Sequence, residues 1–264
     1  MVRQRVLVRF SKQGDLRLIS HRDLLRTLER LFRRAGLNLA MTAGFHPRPR
    51  LSFPSALALG IAGTSEVMEL ELAEPSSAAE VLAAVRTQCL PGLEFTAAEV
   101  LPPGESNVPV TSTTYQMAVP PQRLDSLTAR IAALWDQDPY WIQGPRRSSP
   151  LDLRRFLLEL AMDGGNLRIK LRMEREGGVQ AREVLAELGL DDLDAQGIYL
   201  TRTDVALARH TAPGFGQTPP AAHCRTATND PLAATPYRTK ETETHETRDA
   251  DQRRPAGGVP HRDR

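Results

Sequence analysis

Arginine at helical spacing is the first chemistry this chain offers. Arg22, Arg26, Arg30 and Arg33 recur at intervals of four, four and three residues, which lays four guanidinium groups along one side of a helix. Guanidinium pairs with phosphate through two parallel hydrogen bonds and stacks on bases, so the stripe predicts a polyanionic ligand, RNA first among them. A second set follows in Gly44-Phe45-His46-Pro47-Arg48-Pro49-Arg50. Its prolines fix φ at two positions and bias His46 and Arg48 toward extended backbone. Gly44 lets the chain turn and approach a ligand closely. The expected binding set is Arg22, Arg26, Arg30, Arg33, Gly44, Phe45, His46, Arg48 and Arg50. A plainer reading is compatible with it: Phe45 plugs the core and the prolines only set the path of the loop. His21 and His46 are the candidate general acid or base for a metal-independent RNA cleavage. No nucleophile–base–orienter set accompanies them, and His21 falls in the first turn of a helix, so binding is the stronger expectation.

The elements that must position these residues read as follows. Residues 6–10 form an apolar strand. Ser20 caps the next helix, with Asp23 in the capping-box position. Leu24, Leu28, Leu31 and Ala35 line its apolar face, widened by Leu25 and Phe32, and Gly36 ends it. Residues 38–42 are expected as a second strand. Residues 67–72 alternate with period two as a half-buried strand whose Glu69 and Glu71 are read as an exposed edge. Ser76-Ser77-Ala78-Ala79-Glu80 opens a helix to about Gln88, and residues 93–101 return as a strand. The order β-α-β-β-α-β is the ferredoxin-like arrangement. It repeats after a linker at 102–107: strand 115–119, helix 124–135, strand 140–142, strand 167–173, helix 179–188 and strand 198–207. A loop with Arg146 and Arg147 and a short helix around 152–160 are read as insertions, and Gly164-Gly165 as a turn. The expected fold is therefore α+β, two tandem ferredoxin-like units at 1–102 and 112–208, followed by a tail at 209–264. Among large apolar residues, 211–264 holds only Phe215, Leu232, Tyr237 and Val259. That is too little to offset the entropy of ordering, so the tail is expected to be disordered.

Charge is local. Residues 1–50 carry twelve Lys/Arg against three Asp/Glu, a net +9, although the whole chain is only +2. A concentrated basic surface fits a polyanion partner. Two cysteines, Cys89 and Cys224, exclude a disulfide framework and a cysteine-built metal site. The tail histidines have no regular ligand spacing, so neither a metal nor a cofactor is expected. There is no P-loop, no Gly-x-Gly-x-x-Gly and no His-Glu-x-x-His. No apolar stretch reaches membrane-spanning or signal-peptide length, and the expected location is the cytoplasm, without membrane contact.

Strand 6–10, Ser20-His21-Arg22-Asp23-Leu24, Glu29-Arg30, Arg33-Arg34, the loop 44–50 continuing into Leu51-Ser52-Phe53, Gly60 and Ser65-Glu66 together resemble the radical-SAM-linked protein family. That bacterial domain is fused to a radical SAM enzyme or encoded beside one. The resemblance spans roughly residues 3–207 and is strongest over 5–72. It implies a partnership with a separately encoded radical SAM enzyme, since this chain lacks the closely spaced cysteine trio that would hold the iron–sulfur cluster. The leading expectation joins the two lines: a non-catalytic partner that binds RNA or presents substrate through residues 20–50. The alternatives are a metal-independent endoribonuclease using His21 or His46, similar in architecture to CRISPR repeat-processing endoribonucleases, and a protein-interaction module whose basic surface meets an acidic partner.

Overall fold

Alternation of apolar residues sets the scaffold. In the computed structural model, which describes residues 4–105, 108–144, 149–174 and 177–208, the first half runs β1 (Gln4–Lys12), α1 (His21–Arg34), β2 (Leu51–Ser52), β3 (Ala62–Leu72), α2 (Ala78–Arg86) and β4 (Leu93–Val100). The second half runs β5 (Val110–Ala118), α3 (Leu124–Asp136), β6 (Trp141–Ile142), β7 (Leu151–Asp152), β8 (Leu157–Asp163), β9 (Asn166–Arg172), α4 (Ala181–Glu187) and β10 (Thr201–Leu207). The fold is mixed α+β. One sheet in the order β4-β1-β3-β10-β5-β9-β8 passes through both halves, with β2 added beside β3 and β6–β7 forming a separate ribbon. The halves join where β10 pairs in parallel with the start of β3, Thr201 opposite Ala62 and Arg202 opposite Gly63.

Each half has its own core. Val6, Val8 and Phe10 of β1, Met68 and Leu70 of β3 and Phe95 of β4 bury against Leu28, Leu31 and Phe32 of α1 and Val81 and Val85 of α2. Tyr115, Met117, Leu167 and Ile169 do the same against Leu127, Leu134, Val184 and Leu185 of the other two helices. Because side chains alternate across a strand, Leu7 and Val67 point to the opposite face. There they meet Leu101, Val108 and Val205 in a third, smaller cluster drawn from both halves. Arg9 crosses the same seam. It donates to Ser65 Oγ at 2.8 Å and to the Val205 carbonyl at 3.2 Å, and lies 3.7 Å from Asp204.

Several expectations change. The helix around 152–160 is replaced by β7 and β8. Gly164 and Gly165, both at positive φ, turn β8 straight back onto β9, and the ladder overrides the helical preference of its Leu and Glu residues. Residues 38–42 form only isolated bridges, Leu39 to Leu72 and Met41 to Pro49, while the strand beside β3 is Leu51–Ser52. Glu69 is not on an exposed edge: β3 is an interior strand, and Glu66 and Glu69 are both buried. The tail at 209–264, Ser106 and Asn107 of the linker, and Arg146 and Arg147 lie outside the described residues. Among the described residues no helix is long and apolar enough to cross a membrane, and no group of three His, Cys, Asp or Glu could hold a metal ion.

Candidate nucleic-acid interface

Helix α1 begins where Ser20 Oγ accepts from the Asp23 N–H at 3.2 Å and donates to its carboxylate at 2.7 Å. Gly36, at φ +75°, follows its end. Burial of Leu24, Leu28, Leu31 and Phe32 fixes the rotation of the helix, so Arg22, Arg26, Arg30 and Arg33 all face solvent. Arg26 lies 3.4 Å from Asp23, a pair more than half exposed on both sides, and such pairs hold a side chain weakly. Arg30 Nε donates to the Arg26 carbonyl at 3.2 Å and keeps its terminal amines outward. Arg22, Arg33 and Arg34 have no ion-pair partner among the described residues.

The proline loop is the tip of a narrow hairpin. Thr42 and Arg48 close it: the Thr42 N–H donates to the Arg48 carbonyl at 2.8 Å, and the Arg48 N–H donates to Thr42 Oγ1 at 3.0 Å. Further down, the Arg50 N–H donates to the Ala40 carbonyl at 2.8 Å, while the Ala40 N–H donates to the Glu71 carbonyl at 2.8 Å, anchoring the hairpin on β3. Gly44, at φ +122°, makes the turn. The plainer reading, in which Phe45 plugs the core, does not hold: its side chain is fully exposed at the tip, between Gly44 and His46. Its whole ring surface is therefore open to a ligand. His46 and Arg48 are also exposed. Arg50 is held at the base, its Nε 3.3 Å from the Met41 carbonyl and 3.6 Å from the Glu71 carboxylate, so it belongs to the support and not to the display.

The two histidines are not brought together as a pair. His21 stands edge-on to Phe53 with ring centroids 5.1 Å apart. His46 is out at the tip, and neither makes a hydrogen bond or ion pair among the described residues. Beneath His21 is a cavity of about 10 Å³, room for one water, lined also by Lys12 and Glu66. Lys12 is buried, its Nζ donating to the Ile19 carbonyl at 3.2 Å, and burial pushes its pKa below the ordinary value against the pull of Glu66. Glu66 itself takes two hydrogen bonds from Arg202, one at 2.8 Å. Arg202 also donates to Ser55 Oγ at 3.0 Å and to the Ser55 carbonyl at 2.9 Å. Burial opposes the Arg202 charge, but Glu66, helped by Tyr115, outweighs it and raises the pKa. Sequence reasoning missed this Lys12–Glu66–Arg202 group. Lys12 lies between Ser11 and Gln13, Glu66 between Ser65 and Val67, and Arg202 between Thr201 and Thr203, so no local pattern marks the three as buried.

The family model for an uncharacterized protein conserved in bacteria, DUF2344, matches residues 5–184. No curated protein matches the chain. Among solved structures, an unknown protein from Galdieria sulphuraria is 9% identical, with 78% of this chain and 99% of that chain covered and a TM-score of 0.24. A putative glycine cleavage system transcriptional repressor is 11% identical, with 80% and 100% covered and a TM-score of 0.21. Likeness at these TM-scores supports no structural conclusion.

Proposed function

For a chain that belongs to the DUF2344 family, we propose a non-catalytic role as an RNA-binding partner of a separately encoded radical SAM enzyme. The observation that carries RNA binding is the combination of solvent-facing arginines on α1 and a fully exposed Phe45 on the hairpin that follows. Guanidinium groups supply phosphate contacts and an exposed aromatic ring supplies a stacking platform, the two components of single-strand binding. The resemblance of residues 5–72 to the radical-SAM-linked family supports the enzyme partnership. We also read the two halves as tandem ferredoxin-like units, a reading supported by the strand orders β4-β1-β3-β2 and β10-β5-β9-β8. A catalytic role for His21 gains nothing from its packing on Phe53.

The test is fluorescence anisotropy with single-stranded RNA over a range of salt. Arg26→Glu/Arg30→Glu/Arg33→Glu is expected to abolish the salt-sensitive component, lowering the log–log salt slope by about 2 for three lost phosphate contacts. Phe45→Ala is expected to weaken binding by about 1–3 kcal/mol with the slope unchanged, because stacking releases no counterions. Unchanged affinity in the triple variant sinks the proposal. Cleavage of the RNA in EDTA, lost in His21→Ala or His46→Ala, replaces it with the endoribonuclease. Recovery of a radical SAM enzyme from native cells, with and without RNase, tests the partnership.

A further inference from the structure

A wide cleft lies away from the arginine stripe, lined by none of its residues. It has a volume of about 1020 Å³ and opens beside the end of β3, between Phe53 on one side and β5 and β9 on the other. Ligand sites commonly fall at about 300–1,000 Å³, so it has the capacity for a small organic molecule. Lys170 and Arg172 stand in its wall, two residues apart on β9 and therefore on one face, about 7 Å apart along the strand. Ser112 is the cross-strand neighbour of Arg172 and also lines the cleft, adding a hydroxyl.

The charges of the lining do not cancel. Its two carboxylates are already engaged from outside the wall: Glu69 by Arg5, and Glu174 by Arg155 at 2.7 Å. Among the described residues Lys170 and Arg172 have no ion-pair partner. Two uncompensated cations in a concavity raise the local potential for an anion. Phe53 and Met173 offer apolar surface for the remainder of such a ligand.

We propose that this cleft is a binding site for a small organic anion, whose phosphate or carboxylate group is held by Lys170, Arg172 and the Ser112 hydroxyl. The site is independent of the RNA reading, which rests on residues 20–50.

Isothermal titration with inorganic pyrophosphate at low ionic strength tests it on the full chain. The expected result is one saturable site. Lys170→Gln and Arg172→Gln should each weaken it by about tenfold, as the loss of one charged hydrogen bond does, and the double variant should bind roughly a hundredfold more weakly. Both side chains are at least partly exposed, so both variants should keep their circular dichroism spectrum and urea midpoint, which are measured alongside. The variant Arg26→Glu/Arg30→Glu/Arg33→Glu should bind pyrophosphate as the natural chain does. Heats that never saturate, or equal binding by the folded double variant, overturn the site. Displacement of pyrophosphate by short single-stranded RNA also overturns the small-molecule assignment, because the cleft would then hold RNA phosphates.

Discussion

Arg202 and Glu66 show how a single pair ties the site to the fold. Both are buried, and the guanidinium also serves Ser55, so the passage that follows the hairpin is fastened to the closing strand β10. A buried pair contributes little relative to an apolar replacement, but breaking one strands a charge. Glu66→Gln is therefore expected to cost about 3–5 kcal/mol in urea denaturation. Glu66→Leu/Arg202→Met should recover most of that, and a single variant as stable as the natural chain would deny the pair this role. Neither partner was identifiable from its neighbours. Period-two alternation in 67–72 announces two faces, but not that the second face is covered, so Glu69 passed for an edge residue when Arg5, Arg9 and the Leu7–Val67 seam bury that side. The arginine stripe was legible for the opposite reason: α1 has one strongly apolar face, and burying it dictates where every arginine points.

Element boundaries follow local chemistry where that chemistry is strong. Helix α2 opens with a capping box in which the Ser77 N–H and Oγ donate to Glu80 Oε2, both at 2.8 Å, and the Glu80 N–H returns to Ser77 Oγ at 3.2 Å. The backbone bond first, and the hydroxyl second, hold the Glu80 carboxyl below its ordinary pKa. A depressed folded-state pKa contributes stability above the ordinary carboxylate range that is lost as pH falls through the lowered value. Ser77→Ala should accordingly lower stability by about 1 kcal/mol at neutral pH. Its urea midpoints should also fall less steeply than those of the natural chain between about pH 5 and pH 3. Parallel curves would show that the hydroxyl does not set the Glu80 pKa. Local signals of this strength made α1 and α2 readable in the sequence. They fail at 157–160, where Leu-Leu-Glu-Leu suits either state and the partner strand β9 decides. They fail too at Phe45, since apolarity alone cannot distinguish a core plug from a residue raised on a hairpin tip.

At the scale of the molecule the question is whether the halves are separable. Each has its own core and its own pair of helices. What the sequence could not show is the junction, because β10 pairs with β3 across well over a hundred residues of chain. The seam cluster takes Leu7, Val67 and Leu101 from one half and Val108 and Val205 from the other. Arg9 and Arg202 then add buried polar links that water cannot replace. Exposing such a seam would uncover apolar and charged groups together, so opening one half should destabilise the other. Both tryptophans, Trp135 and Trp141, lie in the second half, while Leu7 lies in the first and is fully buried at the seam. Leu7→Ala should cost about 2–5 kcal/mol. In a single cooperative unit that loss appears equally in tryptophan fluorescence and in far-ultraviolet circular dichroism. A tryptophan transition left in place while the circular dichroism splits into two steps would show two independent domains. The hairpin and the arginine helix would then rest on the first half alone, and coincident transitions would instead make the whole sheet the support on which they stand.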